Sequence, residues 1–149
     1  MNLYNMSVRK ATYRDAPGIK LLLQSLGYVS RTSHLVSQLD MLFGKEDHEV
    51  FVYELNREVV GFVAVHYLPQ LAFDGSLLII SYLSADESVK GLSVARELEQ
   101  YVTERARVRK CERIQVHCME WRAQVHQFYL QQGYQEYPKY FTKRIVYAE

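Results

Sequence analysis

The sequence is poor in the residues that build special architectures. It contains two cysteines and three prolines in 149 residues, too few for a disulfide scaffold or a proline-rich linker. Cys111 and Cys118 flank one predicted strand, and a rise of about 3.3 Å per strand residue keeps them too far apart for a disulfide. We therefore expect two reduced cysteines, as in a cytoplasmic protein, and no metal site built on them.

The chain also lacks an excess of charge and any long apolar run. Its formal net charge is +1, which provides no electrostatic basis for a nucleic-acid or anionic-membrane partner. No segment approaches the roughly 20 apolar residues of a transmembrane helix, and residues 1–10 do not have the pattern of a signal peptide. We expect a cytoplasmic protein with no nucleic-acid or membrane partner.

What the sequence does contain is a regular alternation of helical and strand patterns over its whole length. No repeat, low-complexity segment or linker divides it, so residues 1–149 are predicted to form one domain. Glycines end several of the predicted helices. The predicted strands cover residues 8–11, 50–55, 59–67, 77–85, 114–118 and 134–145, and the predicted helices cover 16–26, 35–43, 94–106 and 121–128.

The order of these elements is β-α-α-β-β-β-α-β-α-β. Strands in hairpin succession followed by βαβ units imply a mixed sheet with helices on both faces. The fold class is therefore α/β, or α+β, and the class alone does not specify a function.

The most informative stretch runs from 83 to 111, where a strand, a tight loop and a long helix follow each other. A loop that leads into a helix N-terminus offers unpaired N–H groups and the positive end of the helix dipole to a phosphate. Small residues at 91, 93 and 95 would let a pyrophosphate approach the backbone, and Lys90 adds a positive charge. On its residues alone, the stretch fits either a phosphate-binding loop or an ordinary helix start.

Several segments together resemble the GNAT family of N-acetyltransferases. The family's signature is Arg/Gln-x-x-Gly-x-Gly/Ala, and Lys90, Ser93 and Ala95 occupy its three defining positions, of which only Ala95 follows the pattern strictly. Downstream, Phe-Tyr-Leu-Gln-Gln-Gly-Tyr at 128–134 matches the family's Phe-Tyr-x-x-x-Gly-Phe/Tyr element. The opening strand and helix and the β-hairpin match as well, so the resemblance covers nearly the whole chain.

A narrower resemblance is to the aminoalkylphosphonate N-acetyltransferases within that family. They also carry Gly-Leu-x-Val, which stands here at 91–94, and a His two residues before Phe-Tyr-Leu, which is His126 here. A Phe-Thr-Lys at 141–143 is a third match. Matches this short suggest kinship more than a shared substrate.

The resemblance implies a GNAT fold, with six to seven strands in a mixed central sheet flanked by four helices, and acetyl-CoA as cosubstrate. A bulge at the end of the fourth strand, which the resemblance places at Leu83, Ser84 and Ala85, is expected to offer a backbone N–H to the thioester carbonyl. The residues that the resemblance assigns to acetyl-CoA binding are Leu83, Ser84, Ala85, Lys90, Gly91, Leu92, Ser93, Val94, Ala95 and Arg96.

The resemblance assigns catalysis to Tyr129, which occupies the position of the tyrosine that protonates the departing CoA thiolate. A phenol suits this step because its ordinary pKa near 10 keeps it protonated at neutral pH. Tyr129 also follows Phe128 at the margin of an apolar helix stripe, so a purely structural aromatic is the competing interpretation.

The general base is harder to assign, because many relatives use a strand Glu where this sequence has Tyr82. A water chain, another residue such as His66, or no dedicated base are the alternatives. Tyr82 and Tyr28 are predicted to bind the acceptor, which we expect to be a small-molecule primary amine. Homodimers are common in the family, so a homodimer is a further expectation from the resemblance.

Two functional hypotheses remain open at this stage. One is an active N-acetyltransferase of a primary amine, with a protein N-terminus or lysine as an alternative acceptor. The other is a degenerate GNAT-fold module that binds acyl-CoA or a partner without catalysis. Ser93 in place of the signature glycine and the missing strand carboxylate motivate the second hypothesis, whereas Tyr129 favours the first.

Overall fold

The structure is a computed structural model that describes residues 7–89, 91–117, 123–137 and 140–148. The chain forms two compact units, Met1–His117 and Cys118–Glu149. The first contains the sheet and the helices α1 to α3, and the second contains α4. The helices are α1 (Ala16–Ser25), α2 (Thr32–Leu42), α3 (Gly91–Val108) and α4 (Ala123–Gln131).

The strands of the first unit form one mixed sheet in the order β1-β2-β3-β4-β5. Neighbouring strands from β1 to β4 are antiparallel, and β5 runs parallel to β4 after the α3 crossover. The strands are β1 (Val8–Lys10), β2 (His48–Leu55), β3 (Glu58–Leu68), β4 (Leu77–Ala85) and β5 (Arg113–Val116). The prediction of a mixed sheet with helices on both faces is confirmed.

The predicted number of six to seven strands is wrong, because the described residues form five. The strand expected at 134–145 is absent from the part of that segment that the structure describes, 134–137 and 140–145. Its apolar residues do not lie in a core, since Phe141 is 92% and Ile145 60% exposed. Alternating β-branched and aromatic residues form a strand only where another edge pairs with their backbone and a core covers one face.

One face of the sheet is covered by α3. Phe51, Val63 and Leu78 of the central strands pack against Val94 and Leu98 of the helix, and all five side chains are fully buried. Burying side chains of this size contributes roughly 1.5–3 kcal/mol each. The apolar stripe that predicts α3 is therefore the surface that attaches this helix to the sheet.

The opposite face is covered by α1 and α2. Ile19 of α1 and Leu39 of α2 pack over Val52 and Phe62 of the central strands. The α1 helix ends at Ser25, and Gly27 adopts a φ of +96°, a left-handed conformation that favours glycine. Two cores therefore lie on the two faces of one sheet, as the order of the elements predicts.

Across the described residues, no helix combines the length and the apolar character that crossing a membrane requires.

Helix α3 lies close to β3 at Gly61. A Cβ at this position would lie 2.6 Å from Val94 Cγ1 and 3.0 Å from Leu98 Cδ1. Side chains in a close-packed core cannot yield that much space without leaving their rotamers. The glycine therefore lets the first turns of α3 lie directly on β3, and this contact sets the position of the helix N-terminus.

We predict that Gly61→Ala lowers the free energy of unfolding by about 1–3 kcal/mol through overpacking. Urea denaturation of the single variant measures this cost. The matched comparison is the same substitution in a Val94→Ala background, which removes the atom at 2.6 Å. The cost of Gly61→Ala should be smaller there, and an equal cost in both backgrounds would contradict the packing explanation.

Candidate active site

Strand β4 contains one residue more than the β3 residues it faces. The pairing passes from Val65–Ile80 directly to Ala64–Tyr82, so Ser81 has no partner of its own. This is a β-bulge, which interrupts the ladder and changes where the following side chains point.

The bulge places two successive side chains on the α1/α2 face of the sheet. Ile80 belongs to the core under α3. Tyr82 stacks on Phe62 of the opposite core, with ring centroids 6.4 Å apart. Ser81 Oγ hydrogen-bonds a His66 ring nitrogen at 2.7 Å, and His66 lies on the α1/α2 face because its neighbours in β3 belong to the α3 core. Ser81 and Tyr82 therefore share one face.

Beyond the bulge, no strand of the described residues pairs with β4 on the side of β5. Their pairing ends at Ile80 and Val116, whereas β4 continues to Ala85. On the other edge, the Asp86 N–H donates to the Val60 carbonyl at 2.8 Å. Because N–H directions alternate along an antiparallel strand, the N–H groups of residues 83 and 85 point away from β3. They are backbone donors at the position where the two parallel strands stop pairing.

The expected position of the bulge within Leu83, Ser84 and Ala85 is wrong. These three residues pair regularly with β3, and the extra residue is Ser81. Leu83 and Ala85 pack against the α3 core. The Ser84 side chain is 4% exposed, and its hydroxyl donates to the Leu22 carbonyl of α1 at 3.4 Å. The three side chains therefore contribute to packing, and only the backbone of these residues is available to a ligand.

The loop after β4 is held as a tight turn by Asp86. Its Oδ1 accepts the Ser88 N–H at 3.0 Å and the Ser88 hydroxyl at 2.7 Å. These hydrogen bonds stabilise the carboxylate and lower the pKa of Asp86. The Val89 N–H also donates to the Asp86 carbonyl at 3.2 Å, so the chain is directed from the strand end towards α3. Lys90, which is predicted to bind acetyl-CoA, lies outside the described residues.

Helix α3 begins at Gly91, and its first turn contains Leu92 and Ser93 but no acidic residue. The first N–H groups of a helix have no partner within it, and the dipole favours an anion there. The Val94 side chain is fully buried against Gly61, so only its backbone is available to a ligand. The remaining two predicted residues differ in exposure, since Ala95 is partly buried and Arg96 is exposed.

The two residues predicted to bind the acceptor lie together. The rings of Tyr28 and Tyr82 meet edge to face, with centroids 5.7 Å apart and an interplanar angle of 88°. They are 49% and 39% exposed. Tyr28 follows the left-handed Gly27 at the end of α1, and Tyr82 follows the bulge, so two local backbone features bring this pair to the surface.

Tyr129 lies on α4 in the second unit. Its ring contacts Phe128 and Tyr134 edge to face, with centroids 5.2 and 5.4 Å away. The Tyr134 N–H donates to the Tyr129 carbonyl at 3.1 Å, which closes the helix beside Gly133, with its φ of +94°. The side chain is partly buried, and its catalytic role stays a prediction.

The sequence prediction did not include two residues of this site, His48 and Ser81. His48 Nδ1 lies 2.9 Å from His66 Nδ1, and Ser81 Oγ lies 2.7 Å from His66 Nε2. The predicted strands include His66 but not His48, and the pairing of the two histidines depends on a second bulge between Tyr53 and Glu54. No residue type in the sequence signals that irregularity.

A helix N-terminus beside a strand edge with free N–H donors has the geometry to bind a phosphate and to polarise a nearby carbonyl. That combination, at the end of the fourth strand of a mixed sheet, is suited to binding an acyl-CoA and polarising its thioester carbonyl. The chain belongs to the Acetyltransferase (GNAT) family, whose sequence pattern matches residues 17–134. It is therefore an acyltransferase, and the acyl donor of the family is acetyl-CoA.

Solved structures of the same fold are similar along nearly the whole chain. A protein from Bacillus halodurans C-125 described as a transcriptional regulator has a TM-score of 0.84 and 20% identity, covering 93% of this chain and 98% of its own. A GNAT family acetyltransferase from Staphylococcus aureus has a TM-score of 0.78, 14% identity, and coverage of 93% and 97%. A ribosomal-protein-alanine N-acetyltransferase from Brucella melitensis has a TM-score of 0.75, 16% identity, and the same coverage of 93% and 97%. No curated protein sequence matches the chain.

We predict that Ser93→Glu weakens acetyl-CoA binding at least tenfold. A carboxylate in the first turn of α3 would itself occupy the free N–H groups and repel the pyrophosphate. Calorimetric titration with acetyl-CoA measures the change. Ser93→Gln is the matched control for size without charge, and it should bind clearly better than Ser93→Glu. Equal affinities for the two variants would show that the pyrophosphate does not lie at this helix end.

Proposed function

We propose that this protein is an acetyl-CoA-dependent N-acetyltransferase that acts on a small-molecule primary amine by direct transfer. The observation that carries the proposal is the edge of β4 beyond its last pair with β5, where the N–H groups of Leu83 and Ala85 point away from β3. The aromatic pair of Tyr28 and Tyr82 stands immediately beside this edge. A donor site and an acceptor surface are thus adjacent along one strand.

In this proposal, backbone N–H groups bind the acetyl-CoA. The first turn of α3 is suited to the pyrophosphate, because its N–H groups and dipole are permanent and require no reorganisation. The N–H groups at 83 and 85 are suited to the thioester carbonyl oxygen, whose negative charge increases as the amine attacks. Backbone donors of this kind are compatible with the degenerate loop signature, because they do not depend on side-chain identity.

The side chains carry the acceptor side. Two tyrosine rings give a surface that is aromatic and uncharged, which suits the apolar part of an amine and the face-on approach of its cationic form. The Phe62 ring stacks against the Tyr82 ring and supports it. A small amine therefore fits this aromatic surface better than a strongly charged acceptor does.

The transfer itself requires one acid and one base. The amine nitrogen forms a bond to the thioester carbonyl carbon, the carbon–sulfur bond breaks, and the departing sulfur takes a proton. We assign that proton to the Tyr129 phenol, on the basis of the Phe-Tyr-x-x-x-Gly-Tyr match. The attacking amine gives up a proton in turn.

We predict that Tyr129→Phe lowers kcat by about 100-fold and leaves the affinity for acetyl-CoA unchanged. Phenylalanine preserves the ring contacts with Phe128 and Tyr134, so the change isolates the hydroxyl. Release of free CoA in a thiol-detection assay measures kcat. Tyr137→Phe, at a tyrosine that is 76% exposed, is the matched control. A Tyr129→Phe enzyme with normal kcat would remove the phenol from the mechanism.

We predict that Tyr82→Ala raises the acceptor KM about 3- to 10-fold, which corresponds to the loss of one aromatic contact. Tyr82→Phe keeps the ring against Phe62 and Tyr28 and should keep the KM. Saturation curves at constant acetyl-CoA measure both variants. If both variants keep the wild-type KM, the acceptor binds elsewhere.

The same assay separates the proposal from its alternative, a GNAT-fold module without catalysis. A panel of 2-phenylethylamine, other small primary amines and peptides with a free N-terminus or lysine would be offered with acetyl-CoA. Turnover of a small amine supports the proposal, and turnover of peptides alone would replace the substrate class. Tight acetyl-CoA binding without turnover of any acceptor would favour the non-catalytic module.

A further inference from the structure

Three side chains on the α1/α2 face form a continuous hydrogen-bonded line. His48 of β2 and His66 of β3 are register partners, and their Nδ1 atoms are 2.9 Å apart. The other nitrogen of His66, Nε2, lies 2.7 Å from Ser81 Oγ. Ser81 Oγ is in turn 3.3 Å from the Ala64 carbonyl oxygen. The line begins at the bulge of β4 and leads into the partly buried interior of the sheet face.

The contacts are consistent with two protonation states of this line. In the neutral state, His66 donates its Nδ1 proton to His48 Nδ1, and its Nε2 accepts the proton of the Ser81 hydroxyl. After His66 gains a proton, its Nε2–H donates to Ser81 Oγ, and the hydroxyl donates to the Ala64 carbonyl instead. Every contact in the line is used in one state or the other, so a proton that reaches Ser81 can be passed to His66.

The outer end of the line stands at the proposed transfer site. Ser81 is exposed and adjacent to Tyr82 on the same face, and it precedes Leu83 by two residues, about 6–7 Å along a strand. An amine held at Tyr82 and attacking a carbonyl polarised from the β4 edge would therefore have Ser81 within reach. Position 82 itself is a tyrosine, which does not act as a base at neutral pH.

We infer that Ser81 accepts the proton of the attacking amine and passes it to His66, with His48 fixing the tautomer and orientation of His66. This inference rests on the proposed function, because it supplies the base that the transfer requires. For the neutral amine, the amine N–H bond breaks as the N–C bond forms, the amine proton goes to Ser81 Oγ, and the Ser81 hydroxyl proton goes to His66 Nε2. A cationic amine first loses one proton to solvent, and after the transfer His66 releases a proton to solvent while Tyr129 regains one. Ser81 is the catalytic residue, and His66 and His48 act through it.

The surroundings of His66 keep it ready to accept a proton at neutral pH. Burial and then the neighbouring His48 lower the pKa of His66 below its ordinary value of 6.5. Across the described residues of α1, α2 and β4, no carboxylate, lysine or arginine hydrogen-bonds its ring, and the contact from β4 is the uncharged Ser81. His66 is therefore neutral at pH 7, which is the form a base needs.

The test is the pH profile of kcat/KM for the acceptor, with 2-phenylethylamine as the first probe amine. In the wild-type enzyme the profile should fall at low pH as His66 becomes protonated, with a limb below pH 6.5 that is separate from the amine's own titration near pH 10. His66→Gln should lower kcat about 100-fold at pH 7 and abolish that limb. His34→Gln, at an exposed histidine of α2, is the matched control and should retain both.

Two further variants separate proton transfer from a structural role. Ser81→Ala should lose activity as His66→Gln does, whereas Ser81→Thr, which retains a hydroxyl, should recover most of it. His48→Gln should keep the acid limb, because His66 is still present, and should lower kcat less than His66→Gln does. Acetyl-CoA affinity and the urea midpoint, measured for each variant, should match those of the wild type.

The possible results separate failure of this inference from failure of the proposed function. An unchanged low-pH limb in His66→Gln, or full activity in Ser81→Ala, overturns the inference while the acetyltransferase function stands. A wild-type enzyme that binds acetyl-CoA but acetylates no amine overturns the proposed function and this inference together. Loss of the limb in His66→Gln, its retention in His48→Gln and rescue by Ser81→Thr support it.

Discussion

A single extra residue in β4, Ser81, is the constraint on which the rest of the active site depends. Without it, the alternation of the strand would turn Tyr82 into the core under α3 and Leu83 onto the opposite face. The bulge shifts the alternation by one position. Tyr82 consequently meets Tyr28, and the N–H groups of residues 83 and 85 come to lie on the edge that β5 no longer covers.

Beyond the bulge, the backbone edge of β4 and the side chains on its α1/α2 face have different roles. The backbone edge is suited to anionic and polar atoms of a donor, because its N–H groups are rigidly held. The α1/α2 face carries side chains, here two tyrosines, a serine and a histidine pair. Such a division lets the acceptor chemistry change while the donor geometry is kept.

The position of α3 is the second requirement, and it depends on a residue that has no side chain. Gly61 lets Val94 and Leu98 approach β3 closely, and the helix N-terminus then stands at the end of β4. In the family signature, position 93 is a glycine, whereas this chain has Ser93. The backbone donors of the first turn remain in place in spite of that change, because the attachment of the helix is made one residue further on, by Val94, and not by the loop.

The sequence by itself determined the order of the elements and the faces of their helices. Periods of 3.6 and 2 residues report local burial directly, so β4 at Leu77–Ala85 and the apolar stripe of α3 could be predicted from the pattern. The glycines at 27, 44 and 133 ended helices as expected, because each has the positive φ that side chains disfavour. The residues at the proposed donor site followed from family resemblance and not from chemistry visible in the loop.

Tertiary structure alone decided whether the pattern at 134–145 becomes a strand and which side chains meet. The strand predicted at 134–145 has the right residue types, but strand formation needs a neighbouring edge, which a local pattern does not specify. The turn at residues 55–58 would pair His48 with Val65, and only the bulge between Tyr53 and Glu54 brings it opposite His66. Register is a property of two strands together, and one irregular residue changes every pairing beyond it. That is why the histidine pair, and the Ser81 it leads to, could be found only in the folded chain.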